Sequence, residues 1–375
     1  MGQLYDVSVV GGGILGLAHA YVLAKSDKRV AVFEREPRAS GASVRNFGMV
    51  WPIAQPAGEM HQLALRSRQI WLDMLVRTKL PFRNTGSLHL AYHPDEAAVL
   101  QEFADVGPGA GYACEWLNAT ETLGCSDAVV PQGLKGGLWS GTELTVDPRQ
   151  ILLCLPAFLK ESGVDLYYGE MVRSIDLPVI ETTRGRYHAE TAIVCSGVDF
   201  QTLYPDVFAG SGLARCKLQM MRPAAQNGWE LGPSLAAGLR LRFYKAFGLC
   251  GTLEPLKARI AAEKPEYDRW AIHILVSQTR DGAITLGDSH EYGDSVDIFD
   301  KAEIDRLILD EAGTFLRLPS WTIAEHWHGL YALHPELPYF AASPAPGVRI
   351  LNGVGGSGMT LSFGLAERTQ KSLFA

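Results

Sequence analysis

Apolar and polar positions follow two patterns along this chain. The first is a set of short, nearly continuous apolar runs. Residues 6–10 (DVSVV), 29–34 (RVAVFE) and 192–199 (AIVCSGVD) read as strands buried on both faces. Between the first two, residues 14–25 are apolar all round, which predicts a buried helix. The second pattern is looser. Residues 213–247 and 270–292 hold several β-like stretches, among them LRLRFYKAF, RWAIHILVS and AITLGD, with Asp281-Gly282 as a hairpin turn signal. Residues 300–317 show helical apolar spacing at Ile304, Leu307, Ile308 and Phe315, and Met359 to Leu373 predicts a closing helix.

Glycines punctuate the first pattern at its junctions. Gly11, Gly13 and Gly16 lie where the first strand meets the first helix. There the first glycine permits a tight turn, the second lets a pyrophosphate approach the backbone, and the third lets the helix pack on the strand. Free N–H groups and the helix dipole then stabilise phosphate charge. Glu34 ends the second strand about 20 residues downstream, where a carboxylate accepts hydrogen bonds from an adenosine ribose. Strand, glycines, helix, strand and terminal acid in that order predict a dinucleotide site. A purely structural glycine turn is the alternative.

Three further segments suit an extended cofactor. After Glu34 the chain runs through REPRASGAS and VRNFGMVWP, a polar connection in place of a quick return to a third strand. Ser196 and Gly197 offer small side chains at the end of the third apolar run. LNGVGGSGMTLSFGLAE supplies Gly353, Gly355, Gly356 and Gly358 before a helix whose N-terminus can stabilise negative charge.

Composition narrows the partners. The chain has 375 residues, 47% apolar and 20% charged, enough to bury a substantial core as one large or two interlocked domains. Its net charge of −7 has no long run of either sign, which points away from nucleic acid and anionic membranes and toward a small-molecule partner. The six cysteines form no CxxC pair, so reduced thiols and a cytoplasmic location are expected. No basic residue precedes the N-terminal apolar stretch, and three consecutive glycines interrupt it, unlike a signal peptide. No apolar run is long enough to predict a membrane span. Glu325-His326-Trp327-His328 has His-x-His spacing without a convincing third ligand, so no metal is expected.

Taken together, VVGGGILGLAHAYVLA, VFERE, GAS, VDPRQIL, AIVCSG, GAITLGDSHEYG, WHGLYAL and NGVGGSGMTLSFGLAE resemble the D-amino-acid oxidase superfamily of FAD enzymes, in its glycine oxidase and sarcosine oxidase branch. The chain is also similar to a group of FAD oxidoreductases associated with 2-aminoethylphosphonate catabolism. The resemblance covers nearly the whole chain. It implies an α/β (mixed α+β) fold in which a Rossmann-like FAD-binding domain, residues 1–84, 142–212 and 322–375, is interleaved with a substrate domain, residues 85–141 and 213–321, built on a mixed, largely antiparallel sheet. It implies FAD contacts at Gly11, Gly13, Ile14, Gly16, Glu34, Arg35, Ser43, Arg45, Asn46, Gly48, Met49, Val172, Ser196, Gly197, Gly353, Gly355, Gly356, Ser357, Gly358, Met359 and Thr360. No cysteine lies beyond Cys250, so the FAD is expected to be noncovalent.

Departures from the family pattern carry the substrate reading. Glycine oxidase-like enzymes place a carboxylate-binding arginine in a WxGLRP segment, and here Trp327-His328-Gly329-Leu330-Tyr331 puts Tyr331 at that position. The fork of donors suited to a planar carboxylate is thereby lost. His290 is the expected flavin-facing residue, where an imidazole titrating near neutrality either orients an anion or accepts an amine proton, or is a structural histidine. His273 is read as structural. Arg45, Lys217, Arg222, His328 and Tyr331 are candidate contacts for a phosphonate. Arg45 alternatively holds the cofactor, and Lys217 with Arg222 alternatively lies on a solvated strand edge.

The resemblance implies an FAD-dependent amine oxidoreductase acting on an N-alkylated aminophosphonate such as N-methyl-2-aminoethylphosphonate. The products would be phosphonoacetaldehyde and an amine. The electron acceptor is oxygen, giving hydrogen peroxide, or another acceptor. A glycine, sarcosine or D-amino acid oxidase is the alternative, and a flavin-binding protein without turnover is a third reading. Oligomeric state is not legible in the sequence.

Overall fold

The computed structural model describes residues 4–374. The continuous apolar runs become the centre of a parallel sheet. Its parallel strands lie in the order Asp165–Tyr168, Val30–Glu34, Leu4–Val10, Arg186–Val194 and Val348–Asn352. The hairpin Val172–Asp176 and Val179–Thr182 extends one part of it, and Phe340–Ala342 pairs antiparallel with the last strand. Both faces are covered, which explains why these strands read as unbroken apolar runs. Val7, Val9, Val30 and Val32 pack with Trp71, Leu155 and Phe363 from the helices on one face. Ala31, Phe33, Ala192 and Ile350 pack with Phe208 and Leu213 on the other.

Helix Ile14–Ala24 lies against the closing helix Gly358–Phe374, which in turn meets helix Glu59–Thr78. Gly364 permits that second approach, because a Cβ there would stand 2.6 Å from the carbonyl oxygen of Leu63. The two ends of the chain are thus packed together at one edge of the cofactor site.

The second sheet is built from the looser pattern. Its order is Glu291–Gly293, Ala214–Pro223, Ile284–Gly287, Leu275–Gln278, Ser234–Ala236, Ser87–Ala91, Gly136–Ser140 and Cys114–Asn118, with Ile323–Leu333 along the other side of Ala214–Pro223. All pairings are antiparallel except Ser234–Ala236 with Ser87–Ala91. A small third sheet of Met49–Val50, Leu144–Val146 and Phe82–Arg83 lies between the two. The Asp281-Gly282 turn joins Leu275–Gln278 to Ile284–Gly287, with Gly282 at φ +89°.

Three expectations are corrected. LRLRFYKAF is not a strand: it forms two short 3₁₀ turns, Gly238–Arg240 and Lys245–Leu249. Its apolar residues alternate as a strand's do, but they are drawn separately into the core and pair with no neighbouring backbone. In RWAIHILVS only Leu275–Gln278 contributes a strand, because Ala271 adopts a left-handed φ of +43° and breaks the extended run. Strand Ile323–Leu333, placed by the 322 boundary with the cofactor part, hydrogen-bonds along Ala214–Pro223 and so belongs to the second sheet.

Candidate active site

A cavity of about 840 Å³ runs from Glu34 and Arg35, past both glycine clusters, to the wall of the second sheet. At the first cluster the backbone leaves no room for side chains. A Cβ on Gly11, which sits at φ +108°, would overlap the carbonyl oxygen of Cys195, and one on Gly16 would overlap that of Gly11. Gly13 would bring a Cβ to 3.0 Å from Ser43 Oγ. Glu34 closes this end of the cavity. Its Oε2 accepts from the Gly12 N–H at 2.7 Å and its Oε1 from the Glu36 N–H at 2.9 Å. Ser43 Oγ accepts from the Ile14 N–H at 2.9 Å, at the N-terminus of the first helix.

The second cluster is held by cross-links from distant segments. Asn352 donates from Nδ2 to Gly197 O at 2.8 Å and accepts the Gly353 N–H at 2.8 Å. Thr360 Oγ1 accepts from the Trp51 N–H at 2.9 Å, and Gln55 donates to Ser357 Oγ at 3.0 Å. These bonds place the N-terminus of the closing helix beside the cavity.

Among the expected cofactor contacts, Gly11, Gly13, Ile14, Gly16, Glu34, Arg35, Ser43, Arg45, Asn46, Met49, Val172, Ser196, Gly197, Gly353, Gly355, Gly356, Ser357, Gly358, Met359 and Thr360 line this cavity. Gly48 does not: at φ +70° it packs against the carbonyl oxygen of Val146, and its N–H donates to Asn46 Oδ1 at 2.7 Å. Asn46 also donates to Ala42 O and Ser43 O, so it shapes this turn as well as lining the cavity. A cradle closed to Cβ atoms, two helix N-termini and a terminal acid suit the pyrophosphate and ribose of FAD.

His290 and Tyr331 line the opposite wall, where Leu218, Met220, Phe243 and Leu275 give it an apolar surface. Burial pulls the His290 pKa down to about 3, outweighing the raising effect of Asp288, and pushes the Tyr331 phenol well above its ordinary value. The expectation of a histidine titrating near neutrality is therefore corrected: His290 is a neutral imidazole that can accept a hydrogen bond and brings no positive charge. Its Nδ1 lies 3.3 Å from Ala271 O.

Three of the expected phosphonate contacts lie elsewhere. Strand alternation sends Leu218 and Met220 into the cavity and Lys217 to the other face. There Lys217 is 1% exposed, 3.0 Å from Asp300, and donates to Phe299 O. His328 shares that acid at 2.9 Å. Arg222 lies farther along its strand, 3.6 Å from Glu325, with its guanidinium over the Trp327 ring. Arg45 does line the cavity, and donates to His328 O at 3.1 Å.

The wall also carries residues that the sequence pattern did not single out as site residues: Arg240, Tyr244, Lys245, Asp288 and Tyr292, together with His273, which was read as structural. Arg240 and its neighbours come from the turns mistaken for a strand. His273, Asp288 and His290 bring ligand-type atoms within 4.8 Å of one another. However, Arg240 Nη1 stands 3.6 Å from Asp288 Oδ1, so a fixed positive charge already faces the carboxylate that a cation would need. Burial pushes the Asp288 carboxyl up and the His273 imidazole well down, which leaves both histidines neutral beside it.

The comparisons agree with this architecture. A glycine oxidase of Geobacillus kaustophilus is 30% identical over 209 residues, covering 52% of this chain and 55% of that protein, so the aligned segment spans about half of each. A glycine oxidase of Bacillus licheniformis is 23% identical over 360 residues, covering 92% of this chain and 86% of that protein. The crystal structure of glycine oxidase from Geobacillus kaustophilus superposes with a TM-score of 0.79 at 21% identity, covering 99% of this chain and 94% of that one, which shows a shared fold. The family described as DAO, FAD dependent oxidoreductase, matches residues 6–371. With that match spanning both glycine clusters and the sheet wall between them, the chain belongs to the DAO family of FAD-dependent oxidoreductases.

Proposed function

We propose that this protein oxidises an amine substrate carrying an anionic group, with an N-alkylated aminophosphonate such as N-methyl-2-aminoethylphosphonate as the substrate. The observation that carries the reading is the single cavity joining the glycine cradle to a wall where Tyr331 stands at the position of the carboxylate-binding arginine. FAD, held noncovalently, supplies a hydride acceptor. The chain's own part is orientation, exclusion of water and a hydrogen bond to the amine. Leu218, Met220, Phe243 and Leu275 present an apolar surface toward the reacting carbon. Neutral His290, its pKa held at about 3 by burial, is too weak a base to take the amine proton but offers a hydrogen-bond acceptor to the N–H of an amine that is unprotonated when the C–H bond breaks.

In the reaction, the C–H bond beside nitrogen breaks and its electron pair leaves as hydride. The nitrogen lone pair closes the C=N bond. Water then adds to that carbon, and cleavage of the C–N bond yields phosphonoacetaldehyde and methylamine. The two electrons pass finally to oxygen, giving hydrogen peroxide, or to another acceptor.

A second reading is oxidation of glycine, sarcosine or a D-amino acid, favoured by an arginine on the cavity wall and by the two glycine oxidases similar to this chain. Anaerobic mixing of the yellow protein with N-methyl-2-aminoethylphosphonate, sarcosine, glycine and D-alanine, followed by loss of absorbance near ~450 nm, separates them. Bleaching by the phosphonate alone supports the first reading. Bleaching by carboxylates alone replaces it with the second, and no bleaching by any amine defeats both.

A further inference from the structure

Among the described residues, Arg240 is the cavity cation whose buried guanidinium nitrogens lack hydrogen-bond partners. Arg35 is held by Asp199 at 2.8 Å, Arg45 donates to the backbone of His328, and Lys245 is exposed. Arg240, by contrast, has a side chain only 15% exposed, and its Nε and Nη1 are inaccessible to solvent without a hydrogen-bond partner. Among the described residues its one acidic neighbour within ion-pair range is Asp288, at 3.6 Å. Buried donors without partners cost free energy unless a ligand or water satisfies them.

The surroundings share this property. Tyr244 Oη, His273 Nδ1, Asp288 Oδ1 and both ring nitrogens of His89 are also buried without hydrogen-bond partners. His273 Nδ1 and Asp288 Oδ1 are 3.0 Å apart, yet they are not aligned for a hydrogen bond. The guanidinium is held in place from below by the Tyr244 ring, 4.3 Å from its centroid. Its turn is fixed from behind, since a Cβ on Gly238 would overlap the Glu96 carboxylate. Glu96 is itself tied by the N–H groups of Tyr92 and His93 and by Arg259. Nη2 is the guanidinium nitrogen outside that buried set, so an immobilised cation short of acceptors presents it as a charged donor to an oxyanion in the cavity.

We propose that Arg240 receives the anionic head group of the substrate, a phosphonate or carboxylate oxyanion, and that Asp288 positions its guanidinium. This rests on the reading that the cavity takes an amine bearing such a group. It relocates the anion contact from the strand Ile323–Leu333, which carries Tyr331, to the turn Gly238–Arg240 on another part of the wall.

The test titrates non-oxidisable anions into the FAD-loaded protein and follows the flavin absorbance shift on binding. Ethylphosphonate and propionate are the probes, with uncharged propanamide as control. Wild type should bind one anion saturably, and the tighter of the two names the head group. Arg240→Gln should weaken that anion about 100-fold and Arg240→Lys about 10-fold, as expected for losing a charge-assisted bond or only its geometry, with propanamide unaffected. A folded, yellow Arg240→Gln protein that binds the anion as tightly as wild type overturns the proposal, as does a wild type that binds neither anion. If the variants fail to fold, phenylglyoxal labelling of wild type decides: the anion should protect Arg240, and unchanged labelling overturns the assignment. Amine turnover is scored separately. Loss of turnover with every amine would defeat the proposed reaction and leave the anion titration standing, whereas Arg240→Gln bleached at wild-type amine concentrations would defeat the Arg240 assignment and leave the reaction standing.

Discussion

The two ends of the cavity satisfy their polar atoms in opposite ways. At the cradle, Glu34, Ser43 and Asn352 are engaged with backbone N–H or C=O groups at 2.7–2.9 Å. At the sheet wall, Arg240, Tyr244, His273 and Asp288 keep buried polar atoms without partners. The difference teaches what each end contributes. The cradle is a backbone surface whose shape, helix N-termini and terminal acid together suit its ligand. The wall stores unpaired hydrogen-bonding capacity in a low-dielectric setting, where a polar ligand gains more than it would in water.

The harshest way to break this comparison is to fill the cradle. Gly11→Val places a side chain against Cys195 at a φ of +108° that valine rarely adopts. Overpacking and strain together cost about 2–6 kcal/mol, and we expect nearly complete loss of bound flavin, read from the ratio of absorbance near ~450 nm to that at ~280 nm. Yellow protein at wild-type occupancy would show that the cradle yields, and the contrast with the wall would lose its basis.

A smaller effect is expected from moving an arginine onto the wall. Tyr331→Arg adds a guanidinium fork to the sheet wall and should raise flavin reduction by sarcosine or glycine about 10-fold or more relative to the phosphonate, with a melting temperature near that of wild type. A stable variant with unchanged substrate preference would mean that position 331 no longer reads the anion.

Buried histidines also predict an acid response, at the wall and at His19 in the helix Ile14–Ala24, where burial lowers the imidazole to about 4. Burial lowers His290 and His89 to about 3 in the folded state, while the unfolded chain binds protons near the ordinary histidine value of about 6.5. The unfolded state therefore takes up more protons below that value. The stability these histidines contribute is fully present above pH ~6.5 and is lost progressively as pH falls toward the folded values. His89→Phe should flatten the fall of melting temperature between pH ~6.5 and ~4. An identical slope in the variant would place the acid sensitivity elsewhere.

The smallest kinetic effect is expected at Lys217. Because it faces Asp300 on the far side of the sheet, Lys217→Met should leave the substrate concentration for half-maximal flavin reduction within about 2-fold, while lowering the melting temperature by a few degrees. A change of about 10-fold in that concentration would mean that the two faces of the sheet are coupled.

How much of this was legible beforehand depends on the range of the interactions involved. Gly11, Gly13, Gly16 and Glu34 announce themselves because a strand, a turn and a helix within one short segment already specify where they go. The C-terminal glycines were legible for the same reason, although only the fold brings them against residues 51–55. Lys217 and His328 were misplaced because a strand sends successive side chains to opposite faces, and nothing local says which face meets the cofactor. Gly48 was misplaced because its need for positive φ arises from Val146, far along the chain.

The sequence by itself determined the dinucleotide cradle and the α/β class, since both rest on local backbone requirements and on apolar runs long enough to demand burial on two faces. Only the tertiary structure decided the substrate wall. The alternation in LRLRFYKAF mimics a strand, and Arg240 enters the cavity only because separate core contacts fold that segment into turns. His290 is neutral because distant segments bury it, and burial is a property of the assembled protein that no single stretch of residues carries.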